Sequence, residues 1–556
     1  MHQSDFIKKN SGTLKDISLL LLLAGLIFLI YSSNLKGTFI FDDSRLENNP
    51  PLHITQLSLK NLLKAGFESS PSTRPISYIT FALNFYFHGF QTTGYHLVNI
   101  CIHIMAAIFL FLLIKTTLSL PPLSIRYGKY TWLPFAVALV WAVHPLQTQS
   151  VTYIIQRMNS LSAMFYVLAF YLYARGRLSQ TRGMKWLFFF GFFLAGVLSL
   201  GSKETAATLP FFIFLYEWYF FQDLDSAWLK KQIIPAAIII LFLGFLVFLY
   251  LGTDPLAYIL SSYGSRDFTL PERILTEFRV VVFYISLLLF PHPARLNLDH
   301  HFLYSGSLIS PITTLFSMAF LLVLLGLAVG TARRNRLFSF CIIWFLGNLV
   351  IESSVIGLEI IFEHRNYLPS MMAILLIIST IFQLLHKSSW VKIAIICFIV
   401  ILLSSWTYDR NSVWNSKITL WSDCAAKSPG KARPHNNLGY ALKQQGRLKE
   451  ALAHYQQTIR IDPEFFEAYN NIGNIYMMFG KFDKAIENYN MSLKIKAGNP
   501  FVHMNIGNAF VKLWQLEKAL LHYGEALHLK PDYEEARRRF LSTQNMLDRK
   551  KARTRQ

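Results

Sequence analysis

Apolar runs long enough to cross a bilayer recur through most of this chain, and no other feature constrains its fold as strongly. A membrane-spanning helix needs about 20 predominantly apolar residues. Runs near this length predict eleven spans, at 17–35, 95–114, 130–143, 159–174, 186–201, 206–221, 232–251, 309–330, 337–351, 366–385 and 391–408. A further run at 280–290 is short and follows Glu277 and Arg279, so we interpret it as re-entrant or as lying along the membrane surface.

The composition agrees with a membrane protein. Of the 556 residues, 53% are hydrophobic and 15% are charged, whereas a soluble domain carries about 25% charged residues. This excludes a soluble enzyme, a disordered chain and a fibrous protein. Four cysteines without a Cys-x-x-Cys pair indicate neither a disulfide scaffold nor a structural zinc site. The net charge is +21, and many of the basic residues flank the apolar runs, so we expect contact with membrane lipid and not with nucleic acid.

The basic residues also predict the orientation of the chain. Lys8, Lys9 and Lys15 precede the first span, so the positive-inside rule predicts a cytoplasmic N-terminus. If the run at 280–290 does not cross the membrane, the extracytoplasmic face receives 36–93, 144–157, 202–205, 252–308, 352–365 and everything after about residue 409. We expect a bacterial cytoplasmic membrane with a periplasmic tail, or, in a eukaryote, the endoplasmic reticulum with a lumenal tail.

The tail repeats with a period of 34 residues. The period relates Leu438-Gly439, Ile472-Gly473 and Ile506-Gly507, and it also relates Ala451, Ala485 and Ala519 as well as Tyr455, Tyr489 and Tyr523. Small residues and an aromatic residue at these offsets are the signature of tetratricopeptide repeats. The small residues let the two helices of a repeat touch, and the tyrosine packs between them.

The predicted fold class is therefore all-α, with a polytopic helical membrane domain followed by a tetratricopeptide α-solenoid. The membrane domain covers 1–408 and has its first exterior loop at 36–93. A lead-in helix at 409–430 precedes three repeats at 431–532. The basic segment 533–556 predicts a capping helix and tail.

Two adjacent carboxylates, Asp42 and Asp43, stand where the first span gives way to the exterior loop. Apolar surroundings raise the pKa of a carboxyl group, and adjacency opposes the ionisation of both groups. The pair favours a general base or a cation site, and a divalent cation is the one cofactor that it suggests. A solvated turn or a helix cap is the alternative.

Other polar residues occur at the same predicted membrane border. They are Arg74, His96, Asn99, His103, His144, Arg157, Lys203, Glu204, His364 and Arg365. Charged residues from separate spans predict a shared cavity, in which the basic groups suit a phosphate or pyrophosphate. Local ion pairs, snorkelling side chains and hydrogen bonds between helices are the alternatives.

Taken in order, these motifs resemble the multi-spanning glycosyltransferases of the GT-C superfamily that carry C-terminal tetratricopeptide repeats. The resemblance is greatest to the transmembrane O-mannosyltransferases with such repeats and to their bacterial homologues. The matching stretches are 39–43, 74–84, 88–89, 95–99, 144–148, 156–157, 160–161, 202–204, 290–291, 365–370 and the three repeats.

The resemblance implies a sugar donor on a polyprenyl phosphate or diphosphate, used on the extracytoplasmic face. It implies that Asp42 or Asp43 is the base or the metal anchor, and we favour Asp42 because it lies nearer the membrane. Residues that match the donor-phosphate contacts by position are Arg74, Arg157, Lys203 and Arg365. His96, His144, Glu204 and His364 would complete the cavity.

The repeats would bind the acceptor protein in an extended groove, with contacts from the equivalent residues Asn437, Asn471 and Asn505. No P-loop motif and no dinucleotide-binding fingerprint occurs in the sequence, so a cytoplasmic nucleotide-sugar site is not indicated. Two alternatives stay open. In the first, the protein is a transferase whose acceptor is a lipid or glycan, or one that moves a whole oligosaccharide. In the second, it is a non-enzymatic scaffold for envelope assembly.

Overall fold

The computed structural model describes residues 2–251, 255–264, 266–385 and 388–555. These residues form helices and loops without a β-strand, which confirms the predicted all-α fold class. The chain divides into two compact units. We call Met1–Leu298 with Phe302–Ser416 the apolar unit, and Asp299–His301 with Lys417–Gln556 the repeat unit.

The apolar unit contains helices α1 to α18. Their bounds are α1 His2–Tyr31, α2 Ser44–Glu47, α3 Leu59–Phe67, α4 Pro75–His88, α5 Thr92–Leu118, α6 Pro121–Tyr127, α7 Leu133–Ala142, α8 Thr148–Val151, α9 Arg157–Leu178, α10 Arg182–Leu200, α11 Leu209–Phe220, α12 Ser226–Leu251, α13 Pro255–Ser261, α14 Leu270–Leu289, α15 Thr313–Thr331, α16 Arg336–Leu349, α17 Pro369–Leu384 and α18 Ser389–Val413. Short 3₁₀ turns at Phe41–Asp43, Ile154–Gln156, Glu204–Thr208 and Glu363–Asn366 carry polar residues of the predicted site.

Five stretches of helix among the described residues are long and apolar enough to cross a membrane. They are Leu14–Asn34, Thr92–Leu118, Arg182–Leu200, Thr313–Thr331 and Ser389–Val413. The other predicted spans fall on α7, α9, α11, α12, α16 and α17, of which α7 is the shortest with 10 residues. The number of eleven spans stays a prediction.

Helix α14 differs most from its sequence interpretation, because it begins at Leu270 and not near residue 280. A capping box explains the earlier start. The Thr269 backbone N–H donates to Glu272 Oε2 at 2.8 Å, and the Glu272 N–H donates to Thr269 Oγ1 at 3.5 Å. The helix has 20 residues, and at about 1.5 Å per residue it is roughly 30 Å long. Whether it is re-entrant stays a prediction.

The centre of the apolar unit is aromatic. Trp141 on α7 and Trp344 on α16 are fully buried, and the Trp141 indole N–H donates to Ser370 Oγ at 3.0 Å. A hydrogen bond of 2.7 Å joins the Tyr367 hydroxyl group to Nδ1 of His103 on α5. The polar edges of these side chains are thus satisfied inside the helix bundle, as buried indole and phenol groups require.

The repeat unit contains three helix pairs, preceded by α19 and followed by α26. Their bounds are α19 Lys417–Lys427, α20 Ala432–Gln444, α21 Leu448–Ile461, α22 Phe466–Met478, α23 Phe482–Ile495, α24 Pro500–Lys512, α25 Leu516–Leu529 and α26 Glu534–Arg555. The predicted repeats are confirmed. The segment predicted as one lead-in helix is divided, because α18 continues to Val413 and α19 begins at Lys417.

The 34-residue pattern has a direct packing cause. A Cβ atom added to Gly473 would lie 2.5 Å from Tyr489 Cε1, and one added to Gly507 would lie 2.6 Å from Tyr523 Cε1. The two helices of each repeat therefore approach through the glycine, and the tyrosine ring fills the remaining space. Gly446 and Gly480 occupy the turns with φ of +74° and +72°, and Trp514 takes the equivalent place with φ of +55°.

We predict that Gly473→Ala loosens the second repeat by about 1–3 kcal/mol, the usual cost of overpacking. Hydrogen–deuterium exchange of the full chain would show faster exchange in α22 and α23. Gly498→Ala is the control, because no atom lies within 4 Å of its added Cβ. Equal exchange in the two variants would contradict this packing account.

Candidate active site

The two carboxylates lie on a tight turn after the first long helix. Asp43 accepts the Ile40 backbone N–H at 2.9 Å through Oδ2, and its own N–H donates to the Ile40 carbonyl at 3.0 Å. Phe41 between them has φ of +51°, a conformation that costs a non-glycine residue about 1–3 kcal/mol. The turn is therefore held by reciprocal bonds around one strained residue.

Asp43 is buried, and its carboxylate contacts backbone N–H groups. Its side chain is 1% exposed, and Oδ1 accepts the Ile155 N–H at 2.8 Å. Burial, together with the charge of Asp42, raises the pKa of Asp43 to about 8 against the effect of these two N–H donors. The expectation that apolar surroundings raise the pKa of one carboxyl group therefore applies to Asp43.

Asp42 is the accessible member of the pair. Its side chain is 29% exposed and forms a 3.0 Å ion pair with Arg45, which is itself largely exposed. The Asp42 backbone N–H donates to the Tyr153 hydroxyl at 2.9 Å. The backbone is thus fixed from both sides, while the carboxylate faces outwards.

The pair does not fit a metal ion. Both oxygens of Asp43 accept backbone N–H groups, and Asp42 is bound to Arg45. In the described ranges no group of three or more His, Cys, Asp or Glu side chains is arranged to hold a metal. We therefore derive no catalytic step through a cation.

Arg157 is enclosed by protein. Its guanidinium donates to Asn99 Oδ1 at 2.7 Å, to the Thr80 carbonyl at 3.2 Å and to the Tyr95 carbonyl at 3.0 Å. It also lies 4.4 Å from the centre of the Phe81 ring and is 0% exposed. The side chain joins α4, α5 and α9, and in this arrangement it presents no surface to a ligand.

The start of α4 contacts the loop after α10, and this contact places Arg74 beside that loop. The Ile76 N–H donates to the Gly201 carbonyl at 2.9 Å, and Ser77 Oγ donates to the Ser202 carbonyl at 3.0 Å. Arg74 Nε then lies 3.0 Å from both carboxylate oxygens of Glu204. Arg74 keeps 27% of its side chain exposed, so this pair forms an open edge.

Lys203 lies behind that edge. Its ammonium group donates to Glu352 Oε1 at 2.7 Å and to Asn159 Oδ1 at 3.1 Å, and its side chain is 8% exposed. Asn159 Nδ2 in turn donates to the His364 carbonyl at 2.7 Å. Asn159 thus connects the loop after α10 to the 3₁₀ turn before α17.

Arg365 closes the far side of this cluster. Its guanidinium donates to the Ile360 carbonyl at 2.8 Å and also to the Glu359 carbonyl. Glu277 on α14 lies between two arginines, 3.1 Å from Arg273 and 3.8 Å from Arg365. These groups are fully buried, so the charges must compensate one another.

Three of the four predicted phosphate contacts therefore come together. Burial and three neighbouring cations hold the pKa of His364 well below its ordinary value. The cations are Lys203, Arg365 and Arg74. The fourth predicted contact, Arg157, lies in the separate junction described above.

The segment 155–158 contacts both the cluster and the acidic turn. Arg74 Nη1 lies 3.4 Å from Sδ of Met158, and the Ile155 N–H donates to Asp43 Oδ1 at 2.8 Å. The charges of Arg74 and Arg45 both lower the pKa of Tyr78, which burial raises. The open edge of the basic cluster and the acidic turn are thus joined through one short segment.

The predicted cavity histidines at 96 and 144 have internal partners. His96 Nε2 lies 3.3 Å from the Gly37 carbonyl. His144 Nδ1 accepts the Leu146 N–H at 3.3 Å, which caps a 3₁₀ turn, and Nε2 lies 3.2 Å from the Leu288 carbonyl. Both residues fasten loops to helices in this arrangement.

Glu352, Glu277 and Asn159 complete the cluster, although sequence reasoning did not select them. Glu352 and Glu277 have no motif around them, and Asn159 lies between the matching stretches 156–157 and 160–161 without being part of either. The one available signal was an acidic residue inside or beside an apolar run, because such a residue requires a cationic partner.

The asparagines predicted for the acceptor groove lie on the first helices of the three pairs. Asn471 Nδ2 donates to Asn436 Oδ1 at 3.2 Å, and Asn505 Nδ2 donates to Asn470 Oδ1 at 3.0 Å. Asn437 Oδ1 lies 3.4 Å from Asn436 Nδ2. Asn505 also lines a cavity of about 380 Å³, together with Lys443 and Tyr489.

Comparisons with known proteins agree with both units. Family models described as "TPR repeat" and "Tetratricopeptide repeat" match residues 439–480 and 466–499. A protein O-mannosyl-transferase of Caenorhabditis elegans is 26% identical over 82% of this chain and 64% of its own length. The human protein O-mannosyl-transferase TMTC3 is 24% identical over 82% of this chain and 52% of its own length.

This chain resembles the protein O-mannosyl-transferases. It spans between 52% and 64% of the length of these two relatives. Together with the five long apolar helices, the similarity identifies an integral membrane protein and confirms the resemblance that the motifs indicated. Among solved structures, the first TPR domain of human RPAP3 is 24% identical with a TM-score of 0.22, over 22% of this chain and 98% of that domain.

We predict that Arg157→Gln destabilises the protein by about 3 kcal/mol or more, because it leaves buried carbonyl groups without a donor. Thermal melting of the full chain in detergent would show the loss. Arg74→Gln is the matched control, since Arg74 is partly exposed, and it should melt near the wild-type temperature. Similar melting of the two variants would argue against a structural role for Arg157.

The Asp43 carboxyl group predicts a pH effect on stability. Its folded-state pKa of about 8 lies above the ordinary 3.8, so folding favours the protonated form. That contribution is complete below about pH 4 and disappears as the pH rises through 8. We compare the difference in melting temperature, wild type minus Asp43→Asn, at two pH values. This difference should be larger at pH 6 than at pH 9. A difference that does not change with pH would contradict this prediction. Asp16→Asn serves as the control.

Proposed function

We propose that this protein is a membrane glycosyltransferase. It moves a sugar from a polyprenyl-phosphate carrier to a Ser or Thr hydroxyl of an acceptor protein on the extracytoplasmic face. The observation that carries the proposal is that the segment 155–158 contacts both the turn that presents the accessible Asp42 carboxylate and the open basic edge at Arg74. The names of the relatives support mannose as the sugar and a protein as the acceptor.

Asp42 is the proposed general base. A Ser or Thr hydroxyl is a weak nucleophile at neutral pH, and a carboxylate within hydrogen-bond distance accepts its proton as the new bond forms. Asp43 is buried and both of its carboxylate oxygens accept backbone N–H groups, whereas Asp42 is partly exposed, so Asp42 is the carboxylate that an acceptor hydroxyl can reach. Arg45 orients that carboxylate without enclosing it.

The basic cluster is the proposed site of the leaving group. When the bond between the sugar C1 and the phosphate oxygen breaks, negative charge develops on the polyprenyl phosphate. Arg74 is the contact at the open edge, and Lys203 adds positive charge behind it. The carboxylates of Glu204 and Glu352 keep these cations in place before the donor arrives.

Arg365 supports the site from within. Its guanidinium is bound to backbone carbonyls, so it contributes charge and fixes the turn that carries His364. Arg157 positions α4 and α9 in the same indirect way. Of the four basic residues, Arg74 and Lys203 are the ones that we propose for the donor phosphate.

The transfer step needs no other protein group. The acceptor oxygen bonds to the sugar C1, its proton passes to Asp42, and the phosphate leaves with the bonding electrons. The polyprenyl chain stays in the bilayer, which explains why the site lies at the ends of apolar helices. The asparagines on α20, α22 and α24 are the proposed contacts for an extended acceptor segment.

We predict that Asp42→Asn lowers transfer by about 10²–10⁴-fold, the usual contribution of a general base. Intact-protein mass spectrometry of exported proteins would measure this in cells that lack the chain, carry it, or carry the variant. An acceptor with the mass increment of one hexose should appear only with the active chain. Glu47→Gln is the matched control, because Glu47 is an exposed carboxylate on the neighbouring helix α2.

Full transfer by a stably folded Asp42→Asn protein would contradict the assignment of the base. An increment of several sugars would show that a whole oligosaccharide is moved. Identical spectra with and without the chain would favour the scaffold interpretation.

A further inference from the structure

A cavity in the apolar unit shares no lining residue with the candidate active site. It has a volume of about 400 Å³ and is lined by residues of α7, α17 and α18 and of the loop before α7. Ligand pockets have volumes of about 300–1,000 Å³. The lining is largely apolar, with Phe135, Leu139, Phe382 and Ile396 among its residues.

Lysines from separate segments converge on this cavity. Lys129 Nζ lies 5.1 Å from the centre of the Tyr130 ring, and Lys392 Nζ lies 5.3 Å from the centre of the same ring. Lys15 Nζ lies 4.6 Å from the centre of the Trp132 ring, which also lines the cavity. Within the described part of the chain neither Lys129 nor Lys392 pairs with a carboxylate.

We infer that this cavity binds an anionic glycerophospholipid of the surrounding membrane. The phosphate lies between Lys129 and Lys392, and an acyl chain follows the apolar lining. A cationic rim on an apolar cavity selects a ligand that is both anionic and hydrophobic, whereas inorganic phosphate would leave the apolar lining unoccupied. The positive-inside pattern predicts that these lysines face the cytoplasm, and the cytoplasmic leaflet is rich in anionic lipid.

Snorkelling alone does not account for this arrangement. Lysines at a membrane border extend towards water independently of one another. Here two lysines, one before α7 and one on α18, stand over one aromatic ring beside a cavity. The cation–π contacts hold the ammonium groups at the rim and leave their other faces available to an anion.

Native mass spectrometry of the full chain in detergent tests the inference. The protein is mixed with equal amounts of phosphatidylglycerol and phosphatidylcholine that carry the same acyl chains. We expect the wild type to prefer phosphatidylglycerol and Lys129→Gln/Lys392→Gln to lose at least about tenfold of that preference, given the usual contribution of a lysine near anionic lipid. Arg182→Gln/Lys185→Gln is the matched control, because these exposed residues lie on the same predicted face outside the cavity.

A second readout needs no variant. Cys397 lines the cavity, and Cys101 is an exposed thiol elsewhere. Phosphatidylglycerol should slow the reaction of Cys397 with N-ethylmaleimide relative to Cys101, and phosphatidylcholine should not.

Three results would overturn the inference. They are equal binding of the two lipids by the wild type, an unchanged preference in Lys129→Gln/Lys392→Gln, and no selective protection of Cys397. Displacement of phosphatidylglycerol by an equal amount of polyprenyl phosphate would assign the cavity to the sugar carrier instead.

Discussion

Buried hydrogen bonds between the first exterior loop and the segment before α9 are the interaction on which the proposed site depends. Asp43 binds the Ile155 N–H, and the Tyr153 hydroxyl binds the Asp42 N–H. A buried polar group without a partner costs free energy, so these bonds permit few alternative loop positions. Arg157 extends the same constraint to Asn99 and thus to the long helix α5. The accessible Asp42 is placed by contacts that do not involve its own carboxylate.

The charged cluster follows from a second set of buried contacts. The start of α4 docks on the end of α10, which brings Arg74 to Glu204 and leaves Lys203 facing Glu352. The buried cations of this cluster, Lys203, Arg273 and Arg365, each have a carboxylate or carbonyl partner, because desolvation would otherwise exclude them. Only the edge at Arg74 stays partly open. The cluster is therefore preorganised, and its four cations (Arg74, Lys203, Arg273 and Arg365) exceed its three carboxylates (Glu204, Glu277 and Glu352) by one.

Periodicity and composition predicted the fold better than the site. The repeats were predictable because each offset, such as Gly473 against Tyr489, reports one local contact. The start of α14 was predictable from its Thr269–Glu272 capping box, although the apolar run alone concealed it. The division between Arg74 and Arg157 was not predictable, because both arginines occur at the same predicted membrane border and neither has a charged neighbour in the sequence that would indicate its partner. Only the distant acceptors of Arg157, Thr80 and Asn99, show that one is enclosed and the other open.

A cryo-electron microscopy map of the full chain with a bound polyprenyl phosphate would test the central claim most directly. We expect the phosphate within hydrogen-bond distance, about 3 Å, of the Arg74 guanidinium, at the edge that the segment 155–158 joins to the acidic turn. The phosphate should also lie closer to Lys203 than to Arg157. A phosphate seated elsewhere, for example between Lys129 and Lys392, would contradict the proposal that the cluster around Arg74 holds the sugar donor.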